Sequence, residues 1–437
     1  MSASPRVLTD WNPENRETWR PAIAWGTLAI TTYSMVMAFC VWFLVSAIAP
    51  KLNDIGFHLS KGQQYWLVAM PGLSCGLIRL VYMFLPPIVG TRRLIGYSSL
   101  LYALPMIGWF FAVQSTQTSY AVLLGLAFAC GIGGGSFSGY MPSTGYFFPR
   151  RLQGTALGIQ AGIGNLGMSI IQLVGPLLMG FGLFGMTWAA PQRQASGPIW
   201  VHNAAVFFVP WTLLAALLAF TLLKDVPVKA NVRQQLDIFS NPDTWIMTLM
   251  YVMTFGVFSG FSAQFALIIN TSYGKDSAFK GMEGLPAGAG YAFLGPLIGS
   301  LVRFAWGPLC DRFWGALWTL VSGVGMAVTL GWAALFLDPT RPDQFPVFLT
   351  AMLLMFFFTG VGNAGTFKQM PMIMPRRQAG GAIGFTAAVA SLGPFIVGVA
   401  LSSMDASLWF WLCAAYCLAC AAICWFRYAR PGAPFPG

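Results

Sequence analysis

PRRLQGTALGIQAGIGNLG, residues 149–167, decides the fold, because it returns at residues 375–393 as PRRQAGGAIGFTAAVASLG. Pro149, Arg150, Arg151, Gly154, Ala156, Gly158, Ala161, Leu166 and Gly167 each meet an identical residue in the copy. Identity of this kind, half a chain apart, marks an internal duplication. Each copy opens on a basic pair and continues as an apolar helix of small residues. Glycines on a helix remove side chains, so another backbone or a ligand can come close. Two pseudo-equivalent helices, one per half, therefore present slim faces. The first copy carries an amide, Asn165, in its apolar run, where the second has Ser391. The duplication speaks to the fold, and that difference to function.

Outward from the repeat the chain is strongly apolar. Hydrophobic residues make up 57% of it and charged residues 8%, with a mean hydropathy of +0.66. A soluble domain carries about 25% charged residues, so 437 residues this poor in charge must face lipid. The apolar segments suit helices rather than the roughly 10-residue strands of a membrane barrel. Twelve spans are predicted, near 23–49, 65–89, 94–113, 119–142, 153–180, 203–223, 245–271, 288–309, 315–337, 346–370, 380–403 and 406–427. The expected fold is an all-α membrane protein, two six-helix halves around a central cavity. Its divisions are an N-terminal segment (1–22), a first half (23–223), a polar linker (224–244), a second half (245–427) and a tail (428–437). No cleavable signal peptide is expected, since the first apolar run is too long for one.

Lys and Arg fix the expected orientation. Fifteen lie in the N-terminal segment, the loops on its side and the tail, against six in the opposite loops. Both termini are thus expected in the cytoplasm. The net charge of +11 reflects basic pairs at span ends, not a nucleic-acid footprint. Gly307-Pro-Leu-Cys-Asp311-Arg312 resembles the G-x-x-x-D-R loop of the major facilitator superfamily, while the matching loop of the first half keeps only Gly90-Thr-Arg-Arg. Cys413, Cys417, Cys420 and Cys424 share a helical face, but no His or carboxylate accompanies them. They read as small apolar filler, and neither metal nor cofactor is expected.

Three basic residues remain inside spans: Arg79, Arg303 and Lys368. Arg79 and Arg303 stand 224 apart, close to the repeat offset, so they occupy matching places in the two halves. Each costs about 2.5–3.5 kcal/mol to insert. Both are expected near mid-span, where snorkelling to headgroups is hard, and a pair related by the duplication would face across the centre. All thirteen acids map to loops or span ends, and His58 and His202 map to the outer side. No carboxylate is placed to balance the arginines, so the simplest counter-ion is an anionic substrate. Glycines on the fourth span (Gly131, Gly133, Gly134, Gly135) and fifth span (Gly158, Gly162, Gly164, Gly167), with Phe39, Phe137, Tyr251, Phe255 and Phe367, suggest a narrow, dry slot. Any one of these aromatics taken singly reads as packing. A guanidinium donates two parallel hydrogen bonds, and two such forks suit a small flat oxyanion.

At this point the sequence resembles the nitrate/nitrite porters of the major facilitator superfamily, the NarK-type proteins of bacteria. Thr9-Asp10-Trp11-Asn12-Pro13-Glu14, Ala38-Phe39-Cys40-Val41-Trp42, Leu77-Ile78-Arg79 and Tyr146-Phe147-Phe148-Pro149 carry the likeness. Ala161-Gly162-Ile163-Gly164-Asn165-Leu166-Gly167 resembles the family's nitrate signature, and Ala387 to Gly393 is a looser version of its second. The resemblance implies a bacterial inner-membrane transporter, acting as a monomer, that clamps nitrate or nitrite between Arg79 and Arg303. It implies hydrogen bonds from Asn165 and Tyr251, a lining of Phe39, Phe137, Phe255 and Phe367 with Gly162 and Gly164 close by, and rocking of the halves. The glycine-bearing fifth and eleventh helices would be the bending elements.

Coupling has two readings. Nitrate stays ionised and the cell interior is negative, so uphill import needs a proton or an exchanged anion. Exchange needs no titrating group in the membrane. Lys368, in Gly365-Thr366-Phe367-Lys368-Gln369, instead offers one: a desolvated lysine beside two cations is poised to trade a proton as the anion arrives and leaves. The plainer reading of Lys368 is a permanent cation reaching the cytoplasmic interface. The sequence reading leans to proton-coupled nitrate uptake. A carrier of another small anion keeps the same arginine pair. A sensor would add an output domain, and no membrane residue forms an acid/base or nucleophile constellation for an enzyme.

Overall fold

The computed structural model describes residues 6–182, 190–194, 197–228, 236–375 and 378–433. Arg376 and Arg377 of the second repeat copy, Lys229 and Arg233 of the linker, and the side chains of Arg193 and Asp311 lie outside the description. Among the described residues, twelve helices are long and apolar enough to cross a membrane. They run Pro21–Ile55, Lys61–Tyr82, Thr91–Ala112, Tyr120–Gly145, Arg150–Met179, Asn203–Leu222, Pro242–Ser272, Gly288–Cys310, Gly315–Ala334, Pro342–Ile373, Ala379–Ser403 and Ala406–Ala429. A helix satisfies its own backbone groups, which lipid cannot do.

Their boundaries follow local chemistry. The second span opens on a capping box in which the Ser60 hydroxyl accepts from the Gln63 N–H and the Gln63 amide oxygen accepts from the Ser60 N–H. That arrangement satisfies donors the first turn would leave orphaned. The span ends at Tyr82, not near 89 as the hydropathy predicts. Pro86 and Pro87 start a separate one-turn helix, Pro86–Val89, because a proline removes a backbone donor and disfavours helix just before it. Between the fifth and sixth spans a small hairpin pairs Gln192–Gln194 with Gly197–Ile199; hydropathy gave no hint of it.

Three spans are interrupted at their centres. The fourth is divided at Ser136, between Tyr120–Gly135 and Phe137–Gly145. The seventh contains a π-turn, Val252–Gly256, between Tyr251 and Val257. The eleventh divides into Ala379–Ala390 and Gly393–Ser403, where Pro394 cannot donate to the preceding turn. The fifth span, expected to bend on its glycines, is one continuous helix, Arg150–Met179. Its glycines serve packing: a Cβ on Gly167 would collide with the Val36 carbonyl oxygen of the first span.

Hydrogen bonds between the halves gather at one face. Ser169 Oγ donates to the Phe293 carbonyl at 2.8 Å and Gln172 Nε2 to the Ser262 carbonyl at 2.8 Å. Tyr65 OH meets Thr271 Oγ1 at 3.2 Å, and Lys275 Nζ bonds both the Pro50 carbonyl (2.9 Å) and the Asp54 carboxylate. At the opposite face ties within a half prevail. Trp11 and Trp19 donate to the Tyr146 and Phe147 carbonyls, and Asp243 accepts from Arg427 Nε (2.8 Å) and Tyr428 OH (2.6 Å).

Candidate anion-binding site

Arg79 and Arg303 are buried, 0% and 6% exposed. Arg79 falls in the last turn of its own helix, not mid-span as the hydropathy window predicts, because the proline pair shortens that helix. Its neighbours nevertheless belong to the middle of theirs. Nε donates to the Gly134 carbonyl at 3.0 Å and Nη1 to the Ala387 carbonyl at 2.9 Å. The guanidinium lies 4.6 Å from the Phe137 ring, 5.5 Å from Phe255 and 5.7 Å from Trp42. Nη2 has no hydrogen-bond partner among the described residues. The two forks thus differ: the fourth and eleventh spans bring two main-chain oxygens onto Arg79, leaving Nη2 without a bond there.

Arg303 differs. Its guanidinium lies 4.9 Å from the Phe367 ring, and neither Nη1 nor Nη2 has a hydrogen-bond partner among the described residues. Among the described residues neither arginine pairs with a carboxylate; the buried acid Asp243 is held by Arg427 and Tyr428 instead. A cation–π contact contributes about 0.5–2 kcal/mol, less than the several kcal/mol needed to take an ion out of water. The rings shape the site without neutralising it.

An unbroken series of rings joins the two cations. From Arg79 it passes to Phe255, which stacks on Tyr251 at 5.3 Å and 8°; Tyr251 lies 5.9 Å from Phe367, and Phe367 underlies Arg303. Tyr251 immediately precedes the π-turn and Phe255 lies within it, a helix irregularity often found where function is. Phe39 packs on Phe137 at 6.2 Å, behind Arg79. Tyr251 is fully buried with its hydroxyl unpartnered.

Asn165 is fully buried, with neither amide atom bonded. On its helix it falls between Gly162, which packs on Phe304, and Ser169, which bonds Phe293, so it faces the eighth span that carries Arg303. Gly162 and Gly164, expected together beside the substrate, are separated. Gly162 lies on that inter-half seam, while Gly164 packs on Met35 of the first span. Lys368 follows Phe367 and is half-buried. Two groups escaped the sequence reading. Trp42, 6.4 Å from Phe255 and stacked on it, stood within a quoted motif. Asn363, fully buried with both amide atoms unpartnered, was legible as an amide in an apolar run.

Residues 31–396 match the model of the Major Facilitator Superfamily. A Thermus thermophilus protein named "Probable nitrate/nitrite antiporter NarK2" is 56% identical over 90% of this chain and 89% of its own. The Salmonella typhimurium protein named "Nitrate/nitrite transporter NarU" is 32% identical over 97% of this chain and 96% of its own. Among solved structures, a D-xylose-proton symporter aligns with a TM-score of 0.65 at 15% identity, covering 92% of this chain and 97% of that one, a likeness of fold alone.

Proposed function

The chain belongs to the major facilitator superfamily, among its NarK-type nitrate/nitrite porters, and from that membership we propose that it carries nitrate and nitrite through a bacterial cytoplasmic membrane, the ion held between Arg79 and Arg303. It is a multi-pass membrane protein, not an enzyme. One observation carries the site assignment: three buried guanidinium nitrogens, Arg79 Nη2 and both terminal nitrogens of Arg303, lack a hydrogen-bond partner among the described residues. Buried cations call for a counter-charge, and a flat oxyanion meets guanidinium edges in their own plane. Asn165 Nδ2 and Tyr251 OH add neutral donors, while Phe39, Phe137, Phe255 and Phe367 keep the site dry enough for the charge–charge attraction to hold. Gly162 gives the seam its closeness.

The halves at 23–223 and 245–427, joined by the linker at 224–244, act as the two rocking bodies of a monomer. The segment at 1–22 and the tail at 428–437 lie in the cytoplasm. With that orientation, the hydrogen bonds between halves described above close the outer face.

For coupling, Lys368 beside Phe367 supports proton-linked uptake. Exchange of nitrate for nitrite is favoured by the name of the Thermus relative and needs no titrating membrane group. Proteoliposomes carrying an internal pH dye decide between them. The expected result is nitrate uptake with internal acidification that Lys368→Gln abolishes. Uptake that requires internal nitrite and moves no proton establishes exchange, and absence of nitrate flux under either gradient overturns the proposal.

A further inference from the structure

Asn363 belongs to a stripe of the tenth span that faces the seventh and eighth. Phe356 packs on Phe265 at 5.4 Å, and a Cβ on Gly360 would lie 2.6 Å from the Gly299 carbonyl and 2.8 Å from Val302 Cβ. Four residues beyond Asn363, Phe367 underlies Arg303. Positions 360, 363 and 367 share one helical face. Asn363 therefore sits at the level of Val302 and Arg303. On the flank of the seventh span, Thr366 Oγ1 meets Thr254 Oγ1 at 3.3 Å, which sets Asn363 beside the π-turn that follows Tyr251 and contains Phe255.

The amide at this level is fully buried, and neither its oxygen nor its nitrogen has a partner. Burying an unpaired amide is costly, and an apolar residue of similar size would avoid that cost. Asn165 is in the same condition in the first half. The two are not repeat partners: 226 positions before Asn363 stands Phe137, and 226 after Asn165 stands Ser391. Each half thus supplies one of these two arginines and at least one buried amide with neither atom bonded among the described residues, Asn165 and Gln160 in the first half and Asn363 in the second.

We infer that Asn363 is a further contact to the oxyanion, its Nδ2 donating to an anion oxygen beside Arg303; this rests on the anion-site reading above. An oxyanion accepts only, so Nδ2 faces the ion, and the amide oxygen remains to accept from a neighbouring donor.

Thermal unfolding of the purified full chain in sodium nitrate, with sodium chloride as the salt control, tests it. Wild type is expected to gain several degrees in nitrate over chloride. Asn363→Leu is expected to fold and to need about tenfold more nitrate for half the shift. Asn363→Asp separates ligand contact from packing. Beside Arg303 the new carboxylate supplies the missing counter-ion, so the protein melts at or above the wild-type temperature without nitrate and loses the nitrate shift. A wild-type nitrate midpoint in either variant, or an Asn363→Asp protein that is destabilised, overturns the inference. If those results accompany a wild-type shift that Arg303→Lys abolishes, the arginine site stands without Asn363. No nitrate shift in wild type removes both.

Discussion

Replacing Arg79 with lysine removes two bonds that replacing Arg303 leaves untouched. Lysine keeps the charge but not the fork, so the Gly134 and Ala387 carbonyls lose the donors they now accept from. A hydrogen bond to a charged group is worth about 1.5–3 kcal/mol. Arg79→Lys is therefore expected to lower the melting temperature and to cut nitrate kcat/KM roughly 10- to 150-fold. Arg303→Lys should cut kcat/KM similarly while leaving the melting temperature without nitrate near wild type. Uptake assays paired with thermal unfolding check both, and equal stability of the two variants would contradict the asymmetry. Sequence made the charges legible, since a cation in an apolar run stands out. The unequal use of the two forks was not legible, because Arg79 is held by main-chain oxygens and every residue has one. Asn363 was within reach, but a search for charges passed over a neutral amide.

At the scale of the helix, glycine content alone did not tell which spans bend. The fifth span carries six glycines between residues 154 and 175 and is unbroken; four of them pack on neighbouring spans, Gly167 against the Val36 carbonyl, while Gly154 and Gly158 face open space. The seventh is irregular with one glycine in its π-turn. Element number and extent were well marked by apolar runs, and the largest displacement, at the end of the second span, came from a proline pair within an otherwise apolar stretch. The duplicated glycines should respond differently to substitution. Gly167→Ala puts a methyl group into the Val36 carbonyl and against Phe39 Cβ, at 2.9 Å, and overpacking of that kind costs about 1–3 kcal/mol. Gly158→Ala meets nothing within 4 Å and should be neutral or stabilising by up to about 1 kcal/mol through helix propensity. Melting temperatures of the two variants check the contrast.

Across the whole molecule, the halves are held together more at one end than at the other. The ion pair of Lys275 with Asp54 joins the end of the first span to the loop after the seventh, and Gln172 and Ser169 bond across the same seam. Lys275 is 38% exposed at its side chain, so the pair is screened and modest in strength. Its removal should shift a balance, not abolish folding. In Lys275→Gln, a cysteine placed at Ser169 is expected to react several-fold faster with a membrane-impermeant thiol reagent applied from outside. The eight native cysteines are buried and give a low background for that measurement. An unchanged labelling rate would show that the pair does not hold this face shut.

The oxygen that Ala387 offers Arg79 belongs to the peptide, not to a side chain. Any residue that keeps the helix supplies it equally well, so the strut between the halves tolerates drift at position 387 and leaves no trace when side chains are compared. It is vulnerable only to a change of backbone. The same oxygen accepts from the Ser391 N–H at 3.1 Å, so distortion of the junction between the two segments of the eleventh span would loosen a cation that belongs to the other half of the protein.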